Sequence, residues 1–274
     1  MIGRRVGALL SGDFRSAFSG AGSEFHQVRP YQPGDDVRRI DWNVTARTGE
    51  PHVRVELAER VLVTWLVVDA SASMRFGTAD RRKADVAEGV ALAVGHLATR
   101  HGNRLGIVSF GPGSPSYRAP REGRRELLLA LEELRVAPAG DGGLAETLRL
   151  LGGLAFQRSL VVLVSDFRGP FDWQRDLARL AARHSTLAVE IRDPREQELA
   201  SVGELQLYDP ETGDHLFVDT SDATVRTRFA EEAAEDRRVV ATALSSAGVQ
   251  HVALTTEGEW FRPLAMFLRR SGGR

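Results

Sequence analysis

Cysteine is absent from this chain of 274 residues. That excludes disulfides, thiolate metal sites, iron–sulfur clusters and a cysteine nucleophile, and it fits a reducing cytoplasm. Lysine occurs once, as Lys83, among 36 basic residues. Arginine therefore carries almost all the positive charge, a pattern produced by GC-rich coding bias as well as by bidentate recognition of acidic groups. A net charge is lacking too: the formal value is -1, so the molecule as a whole offers no pull toward nucleic acid or anionic membrane. No apolar run approaches the ~20 residues that cross a bilayer. The apolar stretch within MIGRRVGALLSGDFRS reads as too short for a secretory signal. The expectation is a soluble cytoplasmic protein, without nucleic acid and without direct membrane insertion.

Several catalytic signatures are missing as well. Ser71 and Ser73 lack the GxSxG context of a hydrolase elbow. No GxxxxGK[ST] phosphate loop occurs, and the histidines are scattered without HExxH or other ligand spacing. SGAGSE near residue 20 has glycines but no strand before it. A haloacid-dehalogenase nucleophile wants a second acid two residues after the first, where this chain has Ser71.

What is present is ordinary globular composition, 42% hydrophobic and 27% charged, in a chain long enough for one large α/β domain. Residues 1–50 hold few aliphatics, many glycines and interleaved charges, and predict an irregular segment docked on a larger domain of residues 51–274. HVRVEL (His52–Leu57) alternates as an edge strand would. From residue 61 onward strands alternate with helices. Val61–Val68, Leu105–Phe110, Leu160–Ser165, Leu187–Arg192 and Gln250–Thr255 read as strands, with a short one at Ser116–Ala119. Helical spacing marks Asp80–Arg100, Glu122–Leu134, Leu144–Phe156, Phe171–His184, Asp222–Ala247 and Pro263–Arg270. Turn chemistry in YDPETGDH predicts a hairpin between Leu205–Leu207 and Leu216–Val218. Such βα alternation implies a parallel-rich sheet with helices on both faces.

The chemistry concentrates at VLVTWLVVDASASM. A buried strand ends in Asp69, and Ser71 and Ser73 follow at alternate positions, so three oxygens can converge as a hard cation such as Mg²⁺ requires. The same pattern also suits a strand-end turn that caps the next helix. Asp166 ends a second buried strand, LVVLVS. In open α/β sheets ligands gather outside the carboxyl ends of strands, at the switch point of strand order. If the two strands are neighbours, Asp69 and Asp166 face each other and either share a proton or bind a cation.

DASAS and LVSDF, in this order, resemble the metal-ion-dependent adhesion site of von Willebrand factor A domains. The run EFHQVRPYQPGDDVRRIDWNVTAR, with the downstream DPETG loop, is similar to bacterial proteins of domain-of-unknown-function family 58. The resemblance implies a von Willebrand A-like, Rossmann-type sheet with strand order 3-2-1-4-5-6, and a metal site of Asp69, Ser71, Ser73 and Asp166. It departs where a threonine ligand is normal: in AGDGGLAETL either Gly142 or Leu144 takes that slot, Thr147 falls inside the helix, and Asp141 or water is left to compensate. The resemblance further implies a non-catalytic interaction module, a partner of a MoxR-type AAA+ ATPase in chaperone-like maturation or assembly of protein complexes. Two alternatives stay open, a Mg²⁺-dependent phosphoesterase and a metal-free scaffold. In the N-terminal run, balanced charges from Glu24 to Arg47 point to internal ion pairs that staple the segment down. The other reading is a docking face anchored by Tyr31 and Trp42.

Overall fold

The computed structural model describes residues 26–56, 62–99, 103–111, 113–123, 128–129, 131–132, 143–208 and 213–271. Its contacts divide the chain into two units, Ser19–Val61 and Leu62–Arg274 with Met1–Phe18.

The smaller unit is more regular than its sequence suggests. Strands β1 (His26–Pro30) and β2 (His52–Glu56) pair antiparallel in a sheet of their own. The His52–Glu56 part of HVRVEL thus pairs with β1 as one edge of a two-stranded sheet. A turn of 3₁₀ helix and the short helix α1 (Trp42–Thr48) lie between them. Capping explains why the interleaved charges hid this order. Asp36 accepts from the Arg38 N–H, and Asp41 accepts from the N–H groups of Asn43 and Val44. Arg29 forks onto Asp35 at 2.7 and 2.6 Å, and its guanidinium holds that carboxyl below the usual range. Among the described charges of this run, Arg29 and Asp35 pair with each other and Asp36 and Asp41 cap turns of helix, while Trp42 is 71% exposed.

The larger unit is built on a six-stranded sheet. In chain order its strands are β3 (Val63–Asp69), β4 (Arg104–Gly111), β5 (Gly113–Arg121), β6 (Leu160–Ser165), β7 (Ser185–Arg192) and β10 (Gln250–Thr255). Across the sheet they run β10-β7-β6-β3-β4-β5, all parallel except β5. Counted within this sheet, that is the 3-2-1-4-5-6 order of the von Willebrand A fold. The expected hairpin forms from β8 (Glu204–Tyr208) and β9 (His215–Asp219), which pair separately.

Every residue of β3 is buried, and successive side chains go to opposite faces. Leu66 and Val68 join the cluster under α2 (Lys83–Ala98) and α6 (Phe261–Ser271). Val63, Trp65 and Val67 join the cluster under α3 (Leu144–Leu154), α4 (Gln174–Ala181) and α5 (Ala223–Ser246). Small residues let the layers close: a Cβ on Gly106 would sit 2.6 Å from the Trp65 ring, and one on Gly89 2.4 Å from Trp260. The expected helix at Glu122–Leu134 lies largely outside the described residues. No helix among the described residues is long and apolar enough to cross a membrane.

Candidate functional site

β3 and β6 are adjacent, with Val68 opposite Val164, so Asp69 and Asp166 emerge side by side at the carboxyl edge of the sheet. This is the switch point, since α2 follows β3 on one face and α3 precedes β6 on the other. Both carboxylates are buried, Asp69 to 6% exposure and Asp166 to 7%. Asp69 Oδ1 accepts the Ser71 N–H at 2.9 Å, which turns the chain sharply after the strand. The Ser71 and Ser73 hydroxyls then lie 3.0 Å apart. Gly111 makes room for that turn. Its φ is +122°, and a Cβ there would stand 2.3 Å from the Ser71 nitrogen, so no other residue fits without moving the loop.

Ser165, which the sequence reading passed over, donates its hydroxyl to Asp69 Oδ2 at 2.5 Å and accepts the Phe167 N–H at 2.9 Å. Phe167 has φ +55°, a conformation that non-glycine side chains adopt at a cost. Its ring is buried against Trp173, with centroids 5.7 Å apart. That anchorage turns the chain so that Asp166 Oδ1 accepts the Arg168 N–H at 3.1 Å. Burial pushes the Asp69 carboxyl up to about 7, and the nearby Asp166 charge pushes in the same direction, against the hydrogen bonds from Ser165 and Ser71.

The unforeseen member is Lys83, the first residue of α2. Its side chain is fully buried and donates to Asp166 Oδ2 and Glu196 Oε1, each at 2.6 Å. The Phe76 ring lies 5.9 Å from the ammonium. Glu196 belongs to a short turn after β7, where it also accepts the Asp193 N–H at 3.2 Å. Asp193, 0% exposed, ties three elements together. It accepts from the Thr78 N–H and hydroxyl at 2.8 and 2.5 Å, from the Thr256 hydroxyl at 2.7 Å and from the Arg195 N–H at 2.9 Å. Behind the two aspartates, then, a polar network joins the ends of β6, β7 and β10 to the start of α2.

A divalent cation shared by Asp69 and Asp166 does not fit this donor set as it stands. Asp166 already neutralises an ammonium, and the Asp69 oxygens each accept a donor of the fold. Among the described residues no three His, Asp or Glu side chains group as ligands would. Thr147 does not supply the missing threonine, for its hydroxyl donates back to the Gly143 carbonyl at 3.1 Å. Leu144 begins α3 and is buried, while Asp141 and Gly142 lie outside the described residues. Asp69, Ser71 and Ser73 do come together, as three oxygens at one turn. The Ser71 and Ser73 hydroxyls contact each other.

The family model described as "Protein of unknown function DUF58" matches residues 27–239. An uncharacterized protein of Mycobacterium tuberculosis is 41% identical over 278 residues, covering 99% of this chain and 87% of that one. Another, of Mycobacterium avium, is 37% identical over 153 residues, 56% of this chain and 90% of that one. Among solved structures, the conserved hypothetical protein BatB from Bacteroides thetaiotaomicron aligns with a TM-score of 0.47 at 9% identity, covering 77% of this chain and 97% of that one. The SpRpn10 VWA domain aligns with a TM-score of 0.43 at 13% identity, covering 77% and 94%. Likenesses so distant leave the fold resting on the strand order of this chain. With the family model spanning most of the sequence and the tuberculosis relative nearly all of it, this chain belongs to the DUF58 family of proteins of unknown function.

Proposed function

We propose that this protein is a non-catalytic interaction module that works beside a MoxR-type AAA+ ATPase in the maturation or assembly of protein complexes. The recognition surface in this reading is the carboxyl edge of the sheet, where Ser71 opens onto Asp69 and Ser73. One observation carries the proposal. At the switch point, where α/β folds place their ligands, the chain gathers the hydroxyls of Ser71, Ser73 and Ser165 with the Asp69 carboxyl, and among the described residues no three His, Asp or Glu side chains group to hold a catalytic metal. Such a site can exchange hydrogen bonds with a partner's polar side chain and has little means of turning it over. Nucleotide hydrolysis belongs to the ATPase in this scheme, and the module presents the client. The family resemblance of the N-terminal run and the DASAS and LVSDF segments supports the choice of partner.

Pull-down of a MoxR-type ATPase encoded beside this chain tests the reading. Ser71→Arg, which puts a bulky cation at the partly exposed end of the site, and Asp69→Asn, which replaces its carboxyl by an amide, are each expected to reduce capture at least tenfold. A loss of about 1.4 kcal/mol would produce that factor. Arg228→Ala, on the exposed face of α5, is the control. Undiminished capture by both site variants, at native melting temperature, would refute the proposal.

A further inference from the structure

We infer that Lys83 is the resident cation of this site: its ammonium, tethered by the fold, stands in for the divalent ion that the two aspartates would otherwise invite. The inference goes beyond the interaction reading and holds whatever the edge binds.

Three observations carry it. The first is geometry. The ammonium lies 2.6 Å from an oxygen of Asp166, at the end of β6, and 2.6 Å from an oxygen of Glu196, after β7, with no exposure of its own side chain. A positive charge held between carboxylates from separate elements does structurally what a bound ion does. The second is residue type. Apart from Lys83, all 36 Lys and Arg residues of the chain are arginine, yet the place enclosed between the Asp166 and Glu196 carboxylates has lysine. A compact ammonium with three donors fits there, whereas a planar guanidinium needs a wider fork. The third is charge. Asp69, Asp166 and Glu196 would together gather as many as three negative charges in a buried place. Lys83 offsets one, and Arg168, 3.5 Å from Glu196, offsets another. A divalent ion added to this arrangement would meet an ammonium already bound to the carboxylate it needs.

The consequence is a site of fixed charge. A fully buried, covalently attached cation cannot leave or complete its shell with a partner's carboxylate. Recognition at this edge is then indifferent to chelators and to Mg²⁺, and it runs through the Ser71 and Ser73 hydroxyls and Asp69.

The experiment uses Mn²⁺ alone as the probe, titrated calorimetrically into the full chain after treatment with chelator. The wild-type protein is expected to show no saturable binding up to millimolar Mn²⁺. Lys83→Met empties the place between Asp166 and Glu196, and is expected to gain a single Mn²⁺ site that disappears again when Asp166→Asn is added. If Lys83→Met is unfolded in chelator, recovery of its native circular dichroism on adding Mn²⁺ counts as that gain. Saturable binding by the wild type that Asp69→Asn abolishes would overturn the inference. So would a Lys83→Met protein that neither binds Mn²⁺ nor is restored by it.

Discussion

Replacing Lys83 by methionine is expected to lower the melting temperature by about 6–20 °C. Removing one partner of a buried ion pair costs about 3–5 kcal/mol, and a domain of this size loses about 2–4 °C per kcal/mol. The cost arises less from the bonds lost than from the charges left behind. Asp166 and Glu196 are both nearly closed to solvent, so neither can be hydrated where it stands. Neutralising them at the same time should recover part of the loss, since no uncompensated charge is then left buried. The triple variant Lys83→Met, Asp166→Asn, Glu196→Gln is therefore expected to melt above Lys83→Met alone. Thermal melts of the two variants check this. A Lys83→Met protein melting within error of wild type would show that the ammonium is not bound as described.

Asp193→Asn is expected to cost about 2–4 kcal/mol, because one acceptor oxygen becomes an amide that faces backbone and hydroxyl donors, and each buried donor left unsatisfied costs about 1–3 kcal/mol. Its four accepted hydrogen bonds hold the loop before α2, the turn after β7 and the residue after β10 in one place. The effect carries a pH signature. Burial pushes the Asp193 carboxyl up, but the hydrogen bonds from Thr78, Thr256 and Arg195 outweigh it and hold it below the usual range. A carboxyl depressed in the folded state stabilises fully above its unfolded value of about 3.9, and that stability is lost as the pH falls through the folded value. The gap in melting temperature between wild type and Asp193→Asn is thus widest near neutrality and narrows below pH ~4. A gap that stays constant from neutral to acid pH would count against the network.

How much of this was legible in the sequence differs from element to element. β3 was, because a strand buried on both faces leaves an uninterrupted apolar run that needs no tertiary knowledge to recognise. The nearness of Asp69 and Asp166 followed from topology alone, since a parallel sheet of this strand order puts those two strand ends together. The DPRE turn that carries Asp193 and Glu196 has the outline of a capping box. Nothing local shows that it folds back beneath β6. Lys83 was hidden for the same reason: it reads as one residue in the first turn of an ordinary helix, and its partners stand 83 and 113 positions away. Its one distinguishing mark was to be the only lysine in the chain. In the N-terminal unit the spacing of Asp36 and Asp41 encoded caps, but so many charges within a few residues masked the periodicity that would have shown α1.

The solitary lysine also permits the most direct test. Labelling with ¹⁵N-lysine gives a side-chain ammonium spectrum with one possible origin, Lys83 Nζ. Held between Asp166 and Glu196 and closed to water, that ammonium is expected to give a sharp, slowly exchanging cross-peak at neutral pH that does not move when Mg²⁺ is added. A signal lost to rapid exchange with solvent, or one that shifts with Mg²⁺ in the wild-type protein, would contradict a tethered cation at the heart of the site.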